Sequence, residues 1–303
     1  MQPKSTVTVS PTEQAVANSE TELYFPHHLV AEAVRTALLE DLGLPGDITT
    51  NALIPAEAKS DAVLSLREEG CIAGLPLAIA AFRALDPEIS IEIDVREGAL
   101  AGGGSVIARI SGKTRAILSA ERVALNFVQH LSGVATATHH FAEAVAGTQA
   151  RIVCTRKTTP GLRAFEKYAV RVGGGFNHRF GLFDAILIKD NHISAAGSVS
   201  TAIERARAAT GHLVKIEVEI DTLVQLEEAL QHNIDAVLLD NMAVPELKNA
   251  VARAKTIRPG ILCEASGGVR LVTVRAIAET GVDMISVGAL THSVKSLDIG
   301  LDF

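Results

Sequence analysis

Basic side chains are concentrated in residues 151–192, where eight Lys or Arg and three acidic residues give a formal charge of +5 against −7 for the whole protein. Five candidate anion-binding side chains follow short apolar runs or a glycine-rich turn: Arg156, Lys157, His178, Arg179 and Lys189. Guanidinium groups bind carboxylate or phosphate through two parallel hydrogen bonds, and lysine adds a movable point charge. The segment predicts a pocket for a small, multiply charged anion. The alternative is a helix-facing salt-bridge network, best fitted by Arg163, Lys167 and Arg171.

Two carboxylates, Glu219 and Asp240, come at the ends of successive β-rich runs and are expected to face each other. Carboxylates so placed can hold Mg²⁺, accept hydrogen bonds from ribose hydroxyls, or stabilise a developing oxocarbenium charge. The alternative is that each caps the helix that follows its strand. The pair alone leaves both interpretations open.

Small residues follow the last two β-rich runs, as SGG at 266–268 and SVGAL at 286–290. Ser266, Gly267 and Gly268 leave successive backbone N–H groups free to surround a phosphate, and Gly288 does the same in the second turn. Most glycine-rich turns only close a loop. Two such turns after the final two strands favour a phosphate site.

The elements that position these residues alternate between short apolar runs and helical stretches. The predicted strands are RIVC, AILI, LVKIEVEI, DAVLL, ILCEAS and DMISV, and the predicted helices lie at 162–171, 198–209, 222–231, 244–256 and 270–279. This alternation indicates parallel strands, in a barrel or a doubly wound sheet. The barrel is favoured because Lys215, Glu217 and Glu219 share one face of their strand, and because charged residues follow the strand ends. Six strands can be identified from the sequence, which does not decide whether the barrel is closed.

The N-terminal part has a different pattern. Residues 27–41 show helical periodicity, and Asp47 is interpreted as a helix cap or turn residue. Strand-like runs at 59–69, 89–95 and 105–111, with a short helix at 75–85, predict a small α+β domain. Residues 114–146 then read as a helix that bridges two domains and is broken near Ser132–Gly133.

Composition excludes several classes of protein. The acidic balance argues against general nucleic-acid binding, and the longest apolar stretch, residues 70–82, is too short to span a bilayer. Three widely spaced cysteines (Cys71, Cys154 and Cys263) are expected to be buried, reduced thiols of a cytoplasmic protein. The first residues lack the features of a signal or transit peptide, so 1–21 is predicted to be a disordered tail.

The motifs CTRKTTPGLR, GGGFNHRFGL, LIKDNH, VEID, LLDN, EASGGV and GVDMISVGALTHS occur in this order, with LSAERVALNFVQHLSGVAT upstream. Together they closely resemble the quinolinate phosphoribosyltransferase family, from about residue 25 to the end. The resemblance implies a type II phosphoribosyltransferase. Its N-terminal α/β sandwich would cover 22–130, completed by 291–303, and its incomplete α/β barrel of about seven strands would cover 131–290.

The resemblance also implies an enzyme that joins quinolinate to 5-phosphoribosyl 1-pyrophosphate with Mg²⁺, giving nicotinate mononucleotide, pyrophosphate and CO₂ for NAD biosynthesis. By the same resemblance, Arg156, His178, Arg179 and Lys189 bind quinolinate, and Lys157 lies near the pyrophosphate and the reacting centre. Glu219 and Asp240 serve the ribose hydroxyls and the metal, and Ser266, Gly267, Gly268 and Gly288 bind the 5′-phosphate. The expected assembly is a homodimer, or a higher assembly of dimers, in which Arg122 reaches the quinolinate of the neighbouring subunit.

Two alternatives stay open. One is a related phosphoribosyltransferase with another acceptor, of the kind associated with molybdate transport, although the intact TRKT and NHR motifs favour quinolinate. The other is a barrel that binds a sugar phosphate without turnover.

Overall fold

The N-terminal part of the chain builds an antiparallel sheet with helices packed around it. The computed structural model describes Phe25 and residues 27–303, so the predicted tail over 1–21 lies outside the described residues. The elements are α1 (His27–Leu42), α2 (Ile48–Leu53), β1 (Lys59–Leu66), β2 (Gly70–Cys71), α3 (Leu75–Leu85), β3 (Ser90–Ile93), β4 (Leu100–Ala101), β5 (Val106–Lys113) and α4 (Thr114–Ala144). The predicted helices and longer strands are confirmed, with small shifts at their ends.

A strand from the C-terminal end of the chain completes this sheet. The strand order is β12-β1-β5-β3, where β12 is Ile299–Asp302. β12 runs antiparallel to β1, with Val63 opposite Asp302 and Leu66 opposite Ile299. Asp47 accepts a hydrogen bond from the backbone N–H of Thr50 at 2.9 Å, so its interpretation as a helix cap is confirmed.

Helix α4 runs without interruption from Thr114 to Ala144, so the predicted break near Ser132–Gly133 is wrong. The small residues serve close packing instead. A Cβ atom at Gly133 would lie 2.3 Å from the carbonyl oxygen of Lys295, so glycine allows the C-terminal segment to approach the helix. The helix packs against both α3 and α5, the first helix of the second domain, and so connects the two domains.

Six parallel strands and their helices form the second domain. The strands are β6 (Arg151–Val153), β7 (Ile186–Ile188), β8 (Ile216–Ile220), β9 (Ala236–Asp240), β10 (Leu262–Ser266) and β11 (Met284–Ser286). The helices are α5 (Arg163–Val172), α6 (Asp190–Ala196), α7 (Val199–Ala209), α8 (Leu223–Leu230), α9 (Val244–Ile257), α10 (Leu271–Ala278) and α11 (Ala289–His292). Each strand coincides with one of the six predicted runs.

The strand order β6-β11-β10-β9-β8-β7 is that of an incomplete α/β barrel, as predicted. Beside β6, an isolated parallel bridge joins Val153 to Phe176 and stands where a seventh strand is expected. Phe176 follows three consecutive glycines, and such a segment shows no strand periodicity. Within the described residues, no ladder joins this bridge to β7, so the barrel is open there.

The two faces of β8 are different, as its alternating sequence predicts. Ile216, Val218 and Ile220 are fully buried, while Glu217 and Glu219 point to the other face. Lys215 does not join them: its mostly exposed side chain pairs with Asp235 at the amino end of the strand. On this strand, the polar side chains expected to line the lumen are therefore the carboxylates Glu217 and Glu219, without Lys215.

Two further expectations concern the whole chain. The three cysteines are free and buried. Across the described residues, no helix combines the length and the hydropathy needed to cross a membrane.

Candidate active site

A cavity of about 710 Å³ lies at the carboxyl ends of the barrel strands. Eleven of the twelve candidate residues line it: Arg156, Lys157, His178, Arg179, Lys189, Glu219, Asp240, Ser266, Gly267, Gly268 and Gly288. They come from loops that are far apart in sequence and meet because parallel strands end on one side of a sheet. The cavity therefore combines cations, carboxylates and exposed backbone.

The loop after β6 is fixed by short hydrogen bonds around Lys157. Its N–H donates to Thr155 Oγ1 at 3.0 Å, and its carbonyl oxygen accepts from Thr291 Oγ1 at 2.7 Å. A Cβ atom at Gly288 would lie 3.3 Å from Cδ of Lys157, which places the second glycine turn against this lysine. The backbone of Lys157 is thus held in place, and its side chain is exposed.

Two guanidinium groups have donors that the protein does not use. Nε of Arg156 and Nε of Arg179 are buried and have no hydrogen-bond partner in the described part of the chain. The pKa of Arg179 is lowered, chiefly because burial disfavours the charged form and secondly because Arg156 is positive. Buried donors without partners and neighbouring like charges both cost free energy. An anion bound between them removes both costs.

An ion pair connects the basic and acidic sides of the cavity. Lys189 Nζ lies 3.2 Å from Glu219 Oε2, and Glu219 is the more buried partner. The contact follows from the register, because Leu187 on β7 lies opposite Glu217 on β8. Residues two positions further along each strand are then neighbours on the same face.

The first glycine turn lies beside the second carboxylate. Ser266 on β10 is opposite Asp240 on β9, and the N–H of Asn241 donates to the Ser266 carbonyl oxygen at 2.9 Å. Gly267 has φ +93°, and a Cβ atom there would lie 2.1 Å from Asn241 Oδ1. Gly268 has φ +58° with nothing within 4 Å of such an atom. The turn is open on its cavity side, as a phosphate loop requires.

His178 lies deeper, against two carboxylates. Its Nε2 is 2.8 Å from Glu217 Oε2 and 3.8 Å from Glu264 Oε2. Burial lowers the pKa of His178, but the hydrogen bond to Glu217 and the negative charges of Glu264 and Glu217 outweigh it, so the pKa is raised. The imidazole therefore adds to the positive side of the cavity.

Family models match nearly the whole described chain. The N-terminal domain of quinolinate phosphoribosyl transferase matches residues 47–132, and the C-terminal domain matches residues 134–302. The chain belongs to the quinolinate phosphoribosyltransferase family. All residues that line the cavity fall in the region matched by the family's C-terminal domain.

Relatives within this family are similar over almost their full length. A protein of Bacillus subtilis (strain 168) named probable nicotinate-nucleotide pyrophosphorylase (carboxylating) is 46% identical over 264 residues, which is 87% of this chain and 90% of the relative. The nicotinate-nucleotide pyrophosphorylase (carboxylating) of Mycobacterium leprae (strain TN) is 46% identical over 276 residues, 89% and 96% of the two chains. The solved nicotinate-nucleotide pyrophosphorylase of Francisella tularensis gives a TM-score of 0.86 at 37% identity, covering 94% of this chain and 99% of that one.

For a metal ion, the cavity offers two kinds of donor. The hard oxygens suited to Mg²⁺ are those of Glu219, which pairs with Lys189, and Asp240, which accepts from Asn241. Across the described residues, one set of three side chains has ligand atoms mutually close enough to hold a metal ion: His178, Glu217 and Glu264. Glu219 and Asp240 offer oxygen donors of the kind that Mg²⁺ prefers, and they would supply two of its ligands if the ion binds here.

The basic residues of α5 do not form the salt-bridge network considered from the sequence. Lys167 is fully buried and donates to the carbonyl oxygen of His178 at 3.0 Å and to Cys154 Sγ at 3.1 Å. Arg163 and Arg171 donate to backbone carbonyl oxygens. That alternative is wrong for the described residues, because these cations stabilise the loops that carry the cavity residues.

Arg122 is the one candidate that does not line the cavity. It lies on α4, and its side chain is exposed. Its role toward a neighbouring subunit, as the family pattern implies, stays a prediction.

Polar cavity residues that sequence reasoning did not assign to the site include Asn241, Glu264 and His292. Glu264 could have been found, because it lies two positions before Ser266 and so faces the same side of β10. Asn241 directly follows Asp240 with φ +54°, which no periodicity reveals. His292 ends a helix of four residues, too short for a helical pattern.

Proposed function

We propose that this protein transfers the phosphoribosyl group of 5-phosphoribosyl 1-pyrophosphate to quinolinate, with decarboxylation, in de novo NAD biosynthesis. The products are nicotinate mononucleotide, pyrophosphate and CO₂. The observation that carries the proposal is a single cavity in which two guanidinium groups with unused buried donors face an acidic pair and an open glycine turn. The names of the relatives support the same reaction.

The basic side of the cavity is suited to the two carboxylates of quinolinate. Arg156 and Arg179 offer buried Nε donors, and His178 contributes an imidazole whose pKa is raised. Bidentate pairing of guanidinium with carboxylate fixes the plane of a flat acid as well as its charge. Lys189 extends this side toward the acidic pair through Glu219.

The opposite side is suited to the phosphoribosyl donor. Ser266, Gly267, Gly268 and Gly288 form the turns that would bind the 5′-phosphate through backbone N–H groups. Glu219 and Asp240 would accept hydrogen bonds from the ribose hydroxyls. Lys157, whose backbone is held by two hydrogen bonds and whose side chain is exposed, would reach the pyrophosphate.

The bond changes follow from this placement. The pyridine nitrogen of quinolinate attacks C1 of the ribose as the bond to pyrophosphate breaks, and the pair Glu219 and Asp240 stabilises the positive charge that develops there. The C2 carboxylate of the pyridinium adduct then leaves as CO₂. Its bonding electrons stay at C2, beside the cationic ring nitrogen, and a proton is taken up. Mg²⁺ bound by Glu219 and Asp240 would neutralise charge on the leaving pyrophosphate.

The proposal includes a homodimer with shared active sites and a cytoplasmic location. Arg122 supports a homodimer with shared sites. It belongs to a motif shared with the family, yet its side chain is exposed and does not line the cavity of its own chain, so it would serve the cavity of a neighbouring subunit. Three free, buried cysteines are consistent with a cytoplasmic location, since thiols stay reduced there.

The test follows the loss of quinolinate absorbance by the purified protein. We expect turnover only when phosphoribosyl pyrophosphate and Mg²⁺ are both present, and loss of turnover in Asp240→Asn. Turnover with another pyridine or aromatic acid, but not quinolinate, would indicate a relative with a different acceptor. Saturable binding of phosphoribosyl pyrophosphate without pyrophosphate release would indicate a binding protein, and either outcome would contradict the proposal.

A further inference from the structure

The segment that carries His178 and Arg179 has no strand pairing of its own. Phe176, just before it, makes two backbone hydrogen bonds to β6 and the residue after β6, of 2.8 and 3.1 Å. Pairing resumes at Ile186, the first residue of β7. Within the described part of the chain, residues 177–185 take part in no backbone–backbone hydrogen bond. Two side chains of the cavity therefore lie on backbone that the sheet does not hold.

Basic side chains of α5 bind this part of the chain instead. Arg163, Lys167 and Arg171 are spaced four residues apart, so they are neighbours on one face of the helix. Each donates to a carbonyl oxygen within residues 175–180: Arg163 to that of Phe180 at 3.3 Å, Lys167 to that of His178 at 3.0 Å, and Arg171 to that of Gly175 at 3.2 Å. The three cations thus supply donors that a neighbouring strand would otherwise provide.

Lys167 is the central and most buried of the three cations. Its side chain is fully buried, whereas Arg163 and Arg171 are half-buried. Among the described residues, Lys167 forms no ion pair with a carboxylate. An ammonium group buried without a carboxylate costs free energy that an apolar side chain of similar size would not. Packing alone therefore does not explain a lysine at this position.

A second acceptor of Lys167 extends its contacts to the loop after β6. Nζ donates to Cys154 Sγ at 3.1 Å, and the thiol donates to Asn177 Oδ1 at 3.3 Å. Cys154 lies two positions before Arg156, and Asn177 lies two positions before Arg179. One buried ammonium group therefore joins the two stretches of backbone that carry the guanidinium groups of the cavity.

We propose that Lys167 is a positioning residue for the acceptor acid: its hydrogen bond to the His178 carbonyl oxygen, where the sheet provides none, places the side chains of His178 and Arg179 on the basic side of the cavity. The inference rests on the proposed function for the identity of that acid, quinolinate. The hydrogen bond itself does not depend on a substrate. On the donor side of the cavity, the backbone of Lys157 is held by Thr291 and not by Lys167, so the loss of Lys167 should affect mainly one substrate.

The direct test is hydrogen exchange, followed by mass spectrometry, in the full-length protein without substrate. The N–H groups of Phe180 and Gly181 donate to Asp184 within the segment, so their exchange reports its order. In Lys167→Met, which removes both the donor and the charge, this exchange should be about tenfold faster, the size of one lost charge-assisted hydrogen bond. Lys167→Gln, uncharged but still a donor, should give an intermediate rate. Unchanged exchange in Lys167→Met would overturn the proposal.

Lys255 provides the matched control. It also donates to a backbone carbonyl oxygen, that of Ile261 at 2.6 Å, but it lies at the amino ends of the strands and pairs with Asp283. Lys255→Met should leave the exchange of Phe180 and Gly181 at the wild-type rate. Equally faster exchange in both methionine variants would mean that losing any such lysine loosens the barrel, which contradicts a specific role for Lys167.

Steady-state kinetics test the consequence for substrate binding. Lys167→Met should raise the KM for quinolinate about tenfold and change the KM for phosphoribosyl pyrophosphate little. Lys167→Gln should again be intermediate, and Lys255→Met should match the wild type. An equal rise in both KM values would show general damage to the site and contradict a positioning role, as would an unchanged KM for quinolinate.

A denaturant unfolding curve shows first whether each variant folds. If Lys167→Met has no cooperative transition, Lys167→Gln carries both measurements, and wild-type exchange and KM values in that variant would overturn the proposal. If the wild type does not turn over quinolinate, the proposed function fails, and the exchange of Phe180 and Gly181 still decides whether Lys167 holds the segment.

Discussion

At the scale of single residues, the cavity is suited to anions because, within the described part of the chain, the fold leaves two buried donors without partners. Nε of Arg156 and of Arg179 is buried and unpartnered among the described residues, and burial together with Arg156 lowers the pKa of Arg179. Burying such groups is costly unless an acceptor arrives. The cost is therefore recovered on binding, which makes the pair selective for a ligand with planar carboxylates.

Arg156→Lys tests whether the fork geometry matters beyond the charge. Lysine keeps the charge but cannot make two parallel hydrogen bonds, so kcat/KM for quinolinate should fall by about tenfold or more. Arg253→Lys is the matched control, because Arg253 pairs with Glu227 on the surface, and it should leave kcat/KM unchanged. Equal kinetics for the two variants would mean that Arg156 acts only as a point charge.

Gly267 and Gly268 provide a matched pair for the glycine turn. Both have positive φ, which costs an alanine about 1 kcal/mol. At Gly267 the new Cβ would also lie 2.1 Å from Asn241 Oδ1, so the variant should lose about 1–3 kcal/mol more of its unfolding free energy. Denaturant unfolding of Gly267→Ala and Gly268→Ala measures the difference. A turn that relaxes freely would instead give equal losses.

At the scale of elements, the periodic strands and helices were predictable and the irregular ones were not. All six barrel strands and five of their helices were predicted from alternating apolar runs, and strand ends then placed eleven candidate residues at one cavity. The bridge at Phe176, the two-residue strands β2 and β4, and helix α6 carry too few residues to show a period. The break in α4 was predicted wrongly because a glycine within a helical pattern is a local signal for a break. In the structure, Gly133 is instead required by the close contact with the backbone of Lys295.

Glu97 is a half-buried carboxyl that connects elements of the two domains. It accepts hydrogen bonds from the N–H of Leu75 on α3 at 2.6 Å and from the hydroxyl of Tyr168 on α5 at 3.0 Å. Burial is the main reason that its pKa is raised from 4.5 to about 7. The folded state therefore binds a proton more tightly than the unfolded chain. The free energy of unfolding should fall as pH rises from about 4.5 to about 7.

Glu97→Gln should remove this part of the pH dependence. Between pH 5 and pH 8, the wild type should lose about 2 kcal/mol of its free energy of unfolding that Glu97→Gln does not lose. The variant should therefore gain stability relative to wild type as the pH rises. Chemical denaturation at a series of pH values measures it, with the exposed Glu92→Gln as control. Parallel stability curves for wild type and Glu97→Gln would show that Glu97 is ionised throughout.

At the scale of the whole molecule, a cationic cavity is set in an acidic protein. The chain carries a net charge of −7, while the segment that supplies most of the cavity's cations is positive. Such an arrangement favours the approach of anionic substrates to the cavity, and the acidic balance of the chain disfavours general binding of nucleic acid. Among the candidate site residues, Arg122 alone lies outside the cavity, exposed on α4.

Subunit complementation tests whether Arg122 serves a neighbouring site. Arg122→Ala and Asp240→Asn should each be nearly inactive as purified proteins, because each loses a component of every site. Co-expressed together in equal amounts, they should recover roughly a quarter of the wild-type sites, since half of the dimers are hybrids with one intact site. Recovery is absent if Arg122 acts within its own chain or has no role.

The most direct test of the proposed reaction uses quinolinate labelled with ¹³C in its C2 carboxyl group. With phosphoribosyl pyrophosphate and Mg²⁺, the purified protein should release one labelled CO₂ for each pyrophosphate, and label placed in the C3 carboxyl should remain in the nucleotide. Pyrophosphate release without labelled CO₂, or release that does not depend on quinolinate, would contradict it.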